Sequence, residues 1–165
     1  MYIVTDQDRV HLRRCVELAA EAVDAGDQPF GSVLVSASGE VLFQDRNRTG
    51  GGDSTRHPEF AIARWAAEHL SPAERAASTV YTSGEHCSMC STAHALVGLG
   101  RIVYASSGDQ LRNWRRDMGM GGNSPIAPLP INAVAPNIPV AGPDPALSAD
   151  VRLLHQRWAE KHHGS

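Results

Sequence analysis

Apolar positions recur every three or four residues near the start of the chain. Between residues 6 and 25 the stripe consists of Leu12, Cys15, Val16, Ala19, Ala22 and Val23. This spacing predicts an amphipathic helix. Thr5 or Asp6 can serve as its N-cap, and Gly26 is a suitable stop. Because Cys15 lies on the apolar stripe, we expect it to be a packing residue.

Strand-like and helical runs alternate in the middle of the chain. The runs FGSVLVS (30–36) and EVLFQD (40–45) predict a hairpin with Gly39 in its turn. The elements expected after this hairpin are a helix over 57–70, a strand over 78–83, a helix from Cys87 to Gly98 or Gly100, and a strand over 101–106. A hairpin that leads into strand–helix units predicts an α/β fold, with a mixed sheet and helices on both faces.

The C-terminal third has a different pattern. Glycine and proline are frequent over 119–147, which predicts a long loop with one strand at 131–134. A helical pattern resumes over 148–163. Because the chain has 165 residues and no internal repeats, we expect one domain over 1–165.

Composition narrows the function classes. Net charge is −3, Lys161 is the single lysine, and the one dense basic cluster is Arg112, Arg115 and Arg116. This balance argues against a nucleic-acid partner. Three cysteines do not make a disulfide framework, and no apolar run is as long as a membrane span. We therefore expect a cytoplasmic protein with no membrane partner.

The stretch Ser83–Cys90, SGEHCSMC, contains two of the three cysteines. A Cys-x-x-Cys pair alone fits a redox pair, half of a structural zinc site or chance. His57 and Glu59 stand thirty residues earlier, as HPE, and each half of the motif opens a predicted helix. One imidazole and two thiolates are zinc ligands, and three protein ligands leave the fourth position open, as in catalytic sites.

Glu59 need not be a ligand, because it is two residues from His57. A carboxylate in this position can take a proton from a zinc-activated water and pass it to a leaving amine. This combination suits hydrolytic deamination of an aminated aromatic ring. A redox pair does not account for HPE.

The two-part motif resembles that of the zinc-dependent cytidine/deoxycytidylate deaminase superfamily, H-x-E…P-C-x-x-C. DQPFGSVLV resembles the first strand of the family, RNR its segment with a base-binding asparagine, and VYTSGEHCSMC its YTSxEPCxMC block. The resemblance covers roughly residues 5–110 and is greatest to the nucleobase deaminases, the guanine deaminase-like branch. It implies a three-layer α/β/α sandwich with a central mixed sheet of about five strands. It also implies one Zn²⁺ per chain held by His57, Cys87 and Cys90, with Glu59 as the catalytic residue.

The resemblance implies substrate contacts as well. Asn47 would hydrogen-bond the base, although a turn asparagine is an alternative. Phe30 is a candidate pocket wall or a core residue, and Trp114 can cover a planar ring. Asp109 follows the fourth strand, where guanine deaminases have an acidic residue, but SSGDQ is also an ordinary turn.

One residue departs from the family pattern. His86 stands where the pattern has proline. Its imidazole can point away from the metal, or it can close the site as a fourth ligand.

The expected function is zinc-dependent hydrolytic deamination of a free nucleobase or related aminated heterocycle, guanine-like first. A tRNA adenosine deaminase, a cytosine deaminase and a non-catalytic zinc-binding module are the alternatives. The acidic balance favours a small-molecule substrate over nucleic acid. The resemblance to this family also implies a homodimer.

Overall fold

The computed structural model describes residues 3–163 of the chain. The helices are α1 (Asp6–Asp24), α2 (Pro58–His69), α3 (Pro72–Ala77), α4 (Ser88–Leu96), α5 (Gly108–Asp117), α6 (Ile131–Val134) and α7 (Pro145–His163). The strands are β1 (Gly31–Val35), β2 (Val41–Arg46), β3 (Thr79–Gly84), β4 (Ile102–Ser106) and β5 (Val140–Ala141). Within the described range every helix is too short or too polar to cross a membrane.

Within residues 3–163 the strands form one mixed sheet in the order β2-β1-β3-β4-β5. Strand β1 is antiparallel to both β2 and β3, whereas β3, β4 and β5 are parallel. Helices α1 and α7 cover one face, and α2 and α4 cover the other. The fold is therefore the expected α/β/α sandwich with five strands.

Alternation along the strands builds two separate cores. Val33 and its register partner Tyr81 face α1, where they join Leu12, Cys15 and other residues of that layer. Leu34 and its partner Val80 face the opposite layer and pack against α2. Successive side chains of a strand point to opposite faces, so β1 and β3 are buried on both sides.

Helix α1 begins and ends where its sequence signals indicate. Thr5 is the N-cap: its Oγ1 accepts a hydrogen bond from Asp8 N at 3.1 Å, and Asp8 Oδ2 accepts one from Thr5 N at 2.9 Å. Gly26 follows the helix with φ +90°, a conformation that favours glycine. Cys15 is fully buried in the core, which confirms it as a packing residue.

The strand expected at 131–134 is wrong. This segment is the helix α6, and the fifth strand is β5, which pairs with β4 through Ile102 and Val140. The reason is a tertiary contact: Ile131 is buried, and its backbone N–H donates to Glu85 Oε2 at 3.0 Å. Residues 119–130 stay without helix or strand, as expected.

Helices α3 and α5 were not expected from apolar spacing. Both begin with a capping box, in which Ser71 pairs with Glu74 and Ser107 pairs with Gln110. This Ser-x-x-Glu/Gln signal was present in the sequence. Helix α7 begins at Pro145 rather than at residue 148, because Asp144 Oδ1 accepts a hydrogen bond from Leu147 N at 3.1 Å.

Candidate metal centre

The proposed ligands stand at the N-terminal ends of two neighbouring helices. His57 is the N-cap residue of α2, and Cys87 is the N-cap residue of α4. Cys90 lies in the first turn of α4 and is buried. Helices α2 and α4 pack side by side on one face of the sheet. The positive end of each helix dipole therefore points towards the same place and favours the thiolate form of cysteine.

The geometry of the three side chains fits one tetrahedral zinc ion. His57 Nδ1 lies 3.6 Å from Cys87 Sγ and 3.5 Å from Cys90 Sγ. Zinc bonds of about 2.1 Å to nitrogen and about 2.3 Å to sulfur place tetrahedral ligands about 3.6 Å apart. Among the described residues, these are the side chains whose ligand atoms gather in this way, all within 4.8 Å of one another.

The two thiols are electrostatically distinct. A hydrogen bond with Cys90, helped by His57, lowers the pKa of Cys87 to about 4. The hydrogen bond with Cys87, together with burial and the charge of Glu59, raises the pKa of Cys90. The hydrogen bond with Cys87 also raises the pKa of His57, against the effect of burial. One thiolate is thus already favoured at neutral pH.

Glu59 lies in the first turn of α2 and is buried, with 6% of its surface exposed. Its Oε1 accepts a hydrogen bond from Ser32 Oγ at 3.1 Å and a longer one from Thr82 Oγ1 at 3.4 Å. Burial raises the pKa of Glu59, while the charge of His57 acts in the opposite direction. Within residues 3–163 the carboxyl group is in no ion pair with an arginine or lysine. Its hydrogen-bond partners are the hydroxyl groups of Ser32 and Thr82, and its raised pKa makes protonation easier.

Ser32 and Thr82 were missed by the sequence reasoning. They are register partners on β1 and β3, and their hydroxyl groups are 2.9 Å apart. Both are fully buried on the face that carries Leu34 and Val80. A hydroxyl residue at an inward position of each strand was the signal that could have found them.

His86 does not belong to the ligand group. Its ring is 2% exposed and lies edge-on to the ring of His94, with 5.5 Å between centroids. Burial, and to a lesser degree His94, lowers the pKa of His86. Of the two orientations considered for this imidazole, the structure has the one that leaves the metal site to His57, Cys87 and Cys90.

Asn47 is buried behind the second strand. Its backbone N–H donates to Phe30 O at 2.9 Å. Its side-chain Oδ1 accepts hydrogen bonds from Thr49 N at 3.0 Å and Thr49 Oγ1 at 2.8 Å. The side-chain oxygen therefore organises the turn, and a contact with a base stays a prediction.

The other three expected substrate contacts, Phe30, Trp114 and Asp109, differ in burial. Phe30 is half-buried, and a Cβ atom added to Gly84 would lie 3.2 Å from its ring. The ring therefore lies over the end of β3, which leads to the ligands. Trp114 is the buried residue of α5 and packs in the core, whereas Asp109, on the same helix, is exposed and forms an ion pair with Arg112. Their roles in substrate binding stay predictions.

The α/β/α sandwich thus carries one zinc-binding ligand set at the N-termini of two adjacent helices. Residues 5–106 match the family model described as "Cytidine and deoxycytidylate deaminase zinc-binding region". The chain belongs to this family, which confirms zinc as the expected cofactor.

The relatives differ in the substrates that their names give. The chain is 31% identical over 108 residues to a probable cytosine deaminase of Schizosaccharomyces pombe, covering 66% of this chain and 65% of the relative. It is 35% identical over 104 residues to a tRNA-specific adenosine deaminase of Agrobacterium fabrum, covering 60% and 66%. It is 38% identical over 95 residues to a guanine deaminase of Bacillus subtilis, covering 57% and 56%. The matched regions span less than two thirds of each of these relatives.

A solved guanine deaminase from Nitrosomonas europaea shares the fold. It superposes with a TM-score of 0.67 at 20% identity and covers 96% of this chain and 86% of its own. At this identity the likeness shows the architecture alone.

Proposed function

We propose that this chain catalyses the hydrolytic deamination of a small aminated heterocycle, guanine-like first, with Glu59 as the proton shuttle. The observation that supports the proposal is the position of Glu59, which is buried beside the three zinc ligands and, within the described residues, forms no ion pair with arginine or lysine. A merely structural zinc site does not require a buried carboxyl group that lacks an arginine or lysine partner. This feature speaks against the non-catalytic zinc-binding module.

The chemistry assigns a task to each group. When bound by His57, Cys87 and Cys90, zinc makes water a better nucleophile at neutral pH. The carboxylate of Glu59 accepts a proton from water at Oε1 or Oε2 while the oxygen bonds to the ring carbon, and the π pair of the ring C=N bond moves to the ring nitrogen. The protonated carboxyl group then donates that proton to the exocyclic nitrogen. The pair on the ring nitrogen re-forms the C=N bond, the bond to the exocyclic nitrogen breaks, and ammonia leaves the hydroxy tautomer of the product, which converts to the oxo form. Atoms and charges balance without another reactant.

The surroundings of Glu59 support this role. Ser32 and Thr82 fix the carboxyl group from the sheet side. Burial raises its pKa towards the range in which a group serves as both base and acid. A carboxylate paired with arginine, by contrast, would be a poor proton acceptor.

The relatives are named for guanine, cytosine and tRNA adenosine. A second candidate substrate therefore has to be considered. Deamination of adenosine in tRNA is favoured by a solved structure from a study of tRNA:A34 deaminases, with TM-score 0.52 at 31% identity over 60% of this chain. The net charge of −3 and the single lysine favour the small molecule. We also propose that residues 1–165 act as one cytoplasmic deaminase domain that forms a homodimer.

The experiment is ammonia release by the zinc-loaded protein from guanine, cytosine, adenine, aminotriazines and a tRNA anticodon stem-loop. We expect turnover of at least one free base, with guanine first. Turnover of the stem-loop alone would replace the proposal by the second candidate. Stoichiometric zinc with no turnover of any substrate would favour the binding module.

A further inference from the structure

Glu85 joins the connection between β3 and α4 to two distant parts of the chain. Its Oε1 accepts a hydrogen bond at 2.9 Å from the backbone N–H of Gly108, the first residue of α5. Its Oε2 accepts one at 3.0 Å from the backbone N–H of Ile131, the first residue of α6. The backbone N–H of Glu85 donates to Ser106 O at 2.9 Å. Glu85 is therefore fixed through its backbone and through both oxygens of its side chain.

The two side-chain bonds of Glu85 are of a strong kind. Hydrogen bonds from backbone N–H groups to an ionised carboxylate are charge-assisted. The first N–H groups of a helix have no partner within that helix, and the helix dipole favours a negative charge beside them. Glu85 is also half-buried, so solvent competes less for its oxygens than at an exposed position. One side chain thus holds the starts of α5 and α6 against the end of β3.

Cys87 follows Glu85 by two residues in the same short connection. It is the N-cap residue of α4, but its side chain makes no capping hydrogen bond. On its other side, Ser88 Oγ donates to Ala127 O at 3.0 Å. The residues that flank this zinc ligand on both sides therefore bond to backbone groups of the segment 108–131.

His86 does not contribute to this support. Both of its ring nitrogens are buried, and neither has a hydrogen-bond partner within residues 3–163. The proline that the family pattern has at this position would restrict the backbone angle φ, whereas a histidine does not. The approach of the chain to Cys87 is therefore held by Glu85 rather than by residue 86.

We propose that Glu85 is a positioning residue for the metal centre. By holding the β3–α4 connection against the segment 108–131, it keeps Cys87 Sγ at its distance of 3.6 Å from His57 Nδ1. Zinc affinity depends on ligands that are held in a tetrahedral arrangement before the ion binds. The proposal goes beyond deamination, because it concerns how the chain retains its metal and applies whether or not a base is turned over.

The test is the zinc affinity of Glu85→Gln. The amide has nearly the same size as the carboxyl group, but it offers one acceptor oxygen, and its NH₂ group faces a backbone N–H donor. The Kd for Zn²⁺ is measured by competition with a chromogenic chelator, on protein that circular dichroism shows to be folded. We expect this Kd to rise about 10-fold, as is typical when a residue that orients a metal ligand is changed. Zinc should also be lost faster to excess chelator.

Glu74→Gln is the matched control. Glu74 also accepts a backbone N–H at the start of a helix, from Ser71 at 2.7 Å. It lies in α3, before the start of β3, whereas the metal ligand Cys87 follows the end of that strand. Glu74→Gln should leave the Kd for Zn²⁺ unchanged, even where it lowers stability. An equal rise of this Kd in both variants, or an unchanged Kd in Glu85→Gln, overturns the proposal.

Gly108→Pro removes one of the two contacts from its other side. The substitution deletes the N–H that Glu85 Oε1 accepts and leaves the β3–α4 connection unchanged. Proline suits the first position of a helix, and Ser107 before it already has an extended backbone, with φ −86° and ψ 161°. A Cβ atom at this position would lie 3.4 Å from Arg112 Nη1 and 3.6 Å from Glu85 Oε1, which is ordinary contact. The Kd for Zn²⁺ should rise, but less than in Glu85→Gln.

The combination of Gly108→Pro with Glu85→Ala shows whether the two residues act through one contact. Glu85→Ala loses both side-chain bonds, so adding Gly108→Pro should weaken zinc binding no further. A further loss in the double variant, or wild-type affinity in Gly108→Pro alone, overturns the proposal. Because these measurements need no turnover, a protein with the expected zinc affinities and no activity on any base would end the proposed function and leave the role of Glu85 intact.

Discussion

Two buried carboxylates on opposite faces of the sheet have pKa values shifted in opposite directions. Asp8, in the first turn of α1, receives a bidentate pair from Arg101 at 2.9 and 2.8 Å and a hydrogen bond from Tyr81 at 2.9 Å. Burial opposes ionisation of Asp8, but these bonds lower its pKa. Glu59, in the first turn of α2, meets hydroxyl groups and thiols, and burial raises its pKa.

The difference separates a structural group from a chemical one. Both residues occupy the first turn of a helix, where the dipole favours a negative charge. Asp8 is fully paired, so its carboxylate joins α1 to β3 and to the start of β4. Among residues 3–163, Glu59 has no arginine or lysine partner, and it lies next to the metal centre, as suits a proton carrier. Local sequence position alone does not distinguish them.

The largest expected effect is on turnover by Glu59→Gln. Removing the proton carrier should lower kcat by on the order of 10³-fold. Zinc content should stay stoichiometric, because residue 59 is not a ligand. Ammonia release and metal analysis of the purified protein check the two statements. Glu68→Gln, an exposed change on the same helix, is the control, and an active Glu59→Gln protein would falsify the assignment.

The second effect is on stability and is expected from Asp8→Asn. Breaking a buried pair should lower the free energy of unfolding by about 3 kcal/mol. Activity per folded, zinc-loaded molecule should stay near the wild-type value. Urea unfolding with a matched activity assay measures both quantities.

Asp6→Asn is the control for this change. Asp6 is in the same helical turn and also contacts an arginine, but its side chain is fully exposed. It should change stability little, because exposed ion pairs are screened by solvent. Equal effects of the two substitutions would contradict the contrast between buried and exposed carboxylates.

The smallest effect concerns His155, a buried group held neutral rather than charged. Its pKa is lowered to about 3 in the folded protein, from about 6.5 when unfolded. As pH falls below about 6.5 the unfolded chain binds a proton that the folded chain does not, so stability is lost on acidification. At about pH 5 the loss from this residue is about 2 kcal/mol.

Urea unfolding near neutral pH and at about pH 5 checks this prediction. His155→Gln should show a shallower dependence of the free energy of unfolding on pH than the wild type. Protonation of the zinc ligands affects both proteins alike and cancels in the difference. Parallel pH profiles would mean that the His155 imidazole titrates normally.

Local pattern was enough to predict much of the fold. The α1 stripe, the hairpin, α2, β3, α4 and β4 all lie close to their expected bounds. The capping boxes at Ser71 and Ser107 show that α3 and α5 were also readable. The sequence did not predict that 131–134 forms the helix α6 and that the fifth strand is β5. A contact between Glu85 and Ile131 decides the conformation of this segment. Residues 85 and 131 are distant in sequence, and apolar spacing carries no information about their pairing.

The sequence by itself determined the ligand set. A histidine two residues before a glutamate and a Cys-x-x-Cys pair, each at the start of a helix, specify three zinc ligands and a nearby carboxyl group, since helix geometry fixes neighbours within one turn. Tertiary structure alone decided the surroundings. It brought Ser32 and Thr82 to Glu59 through strand register and turned His86 towards His94. These outcomes depend on which elements pack together, and that depends on burial across the whole sheet rather than on spacing along the chain.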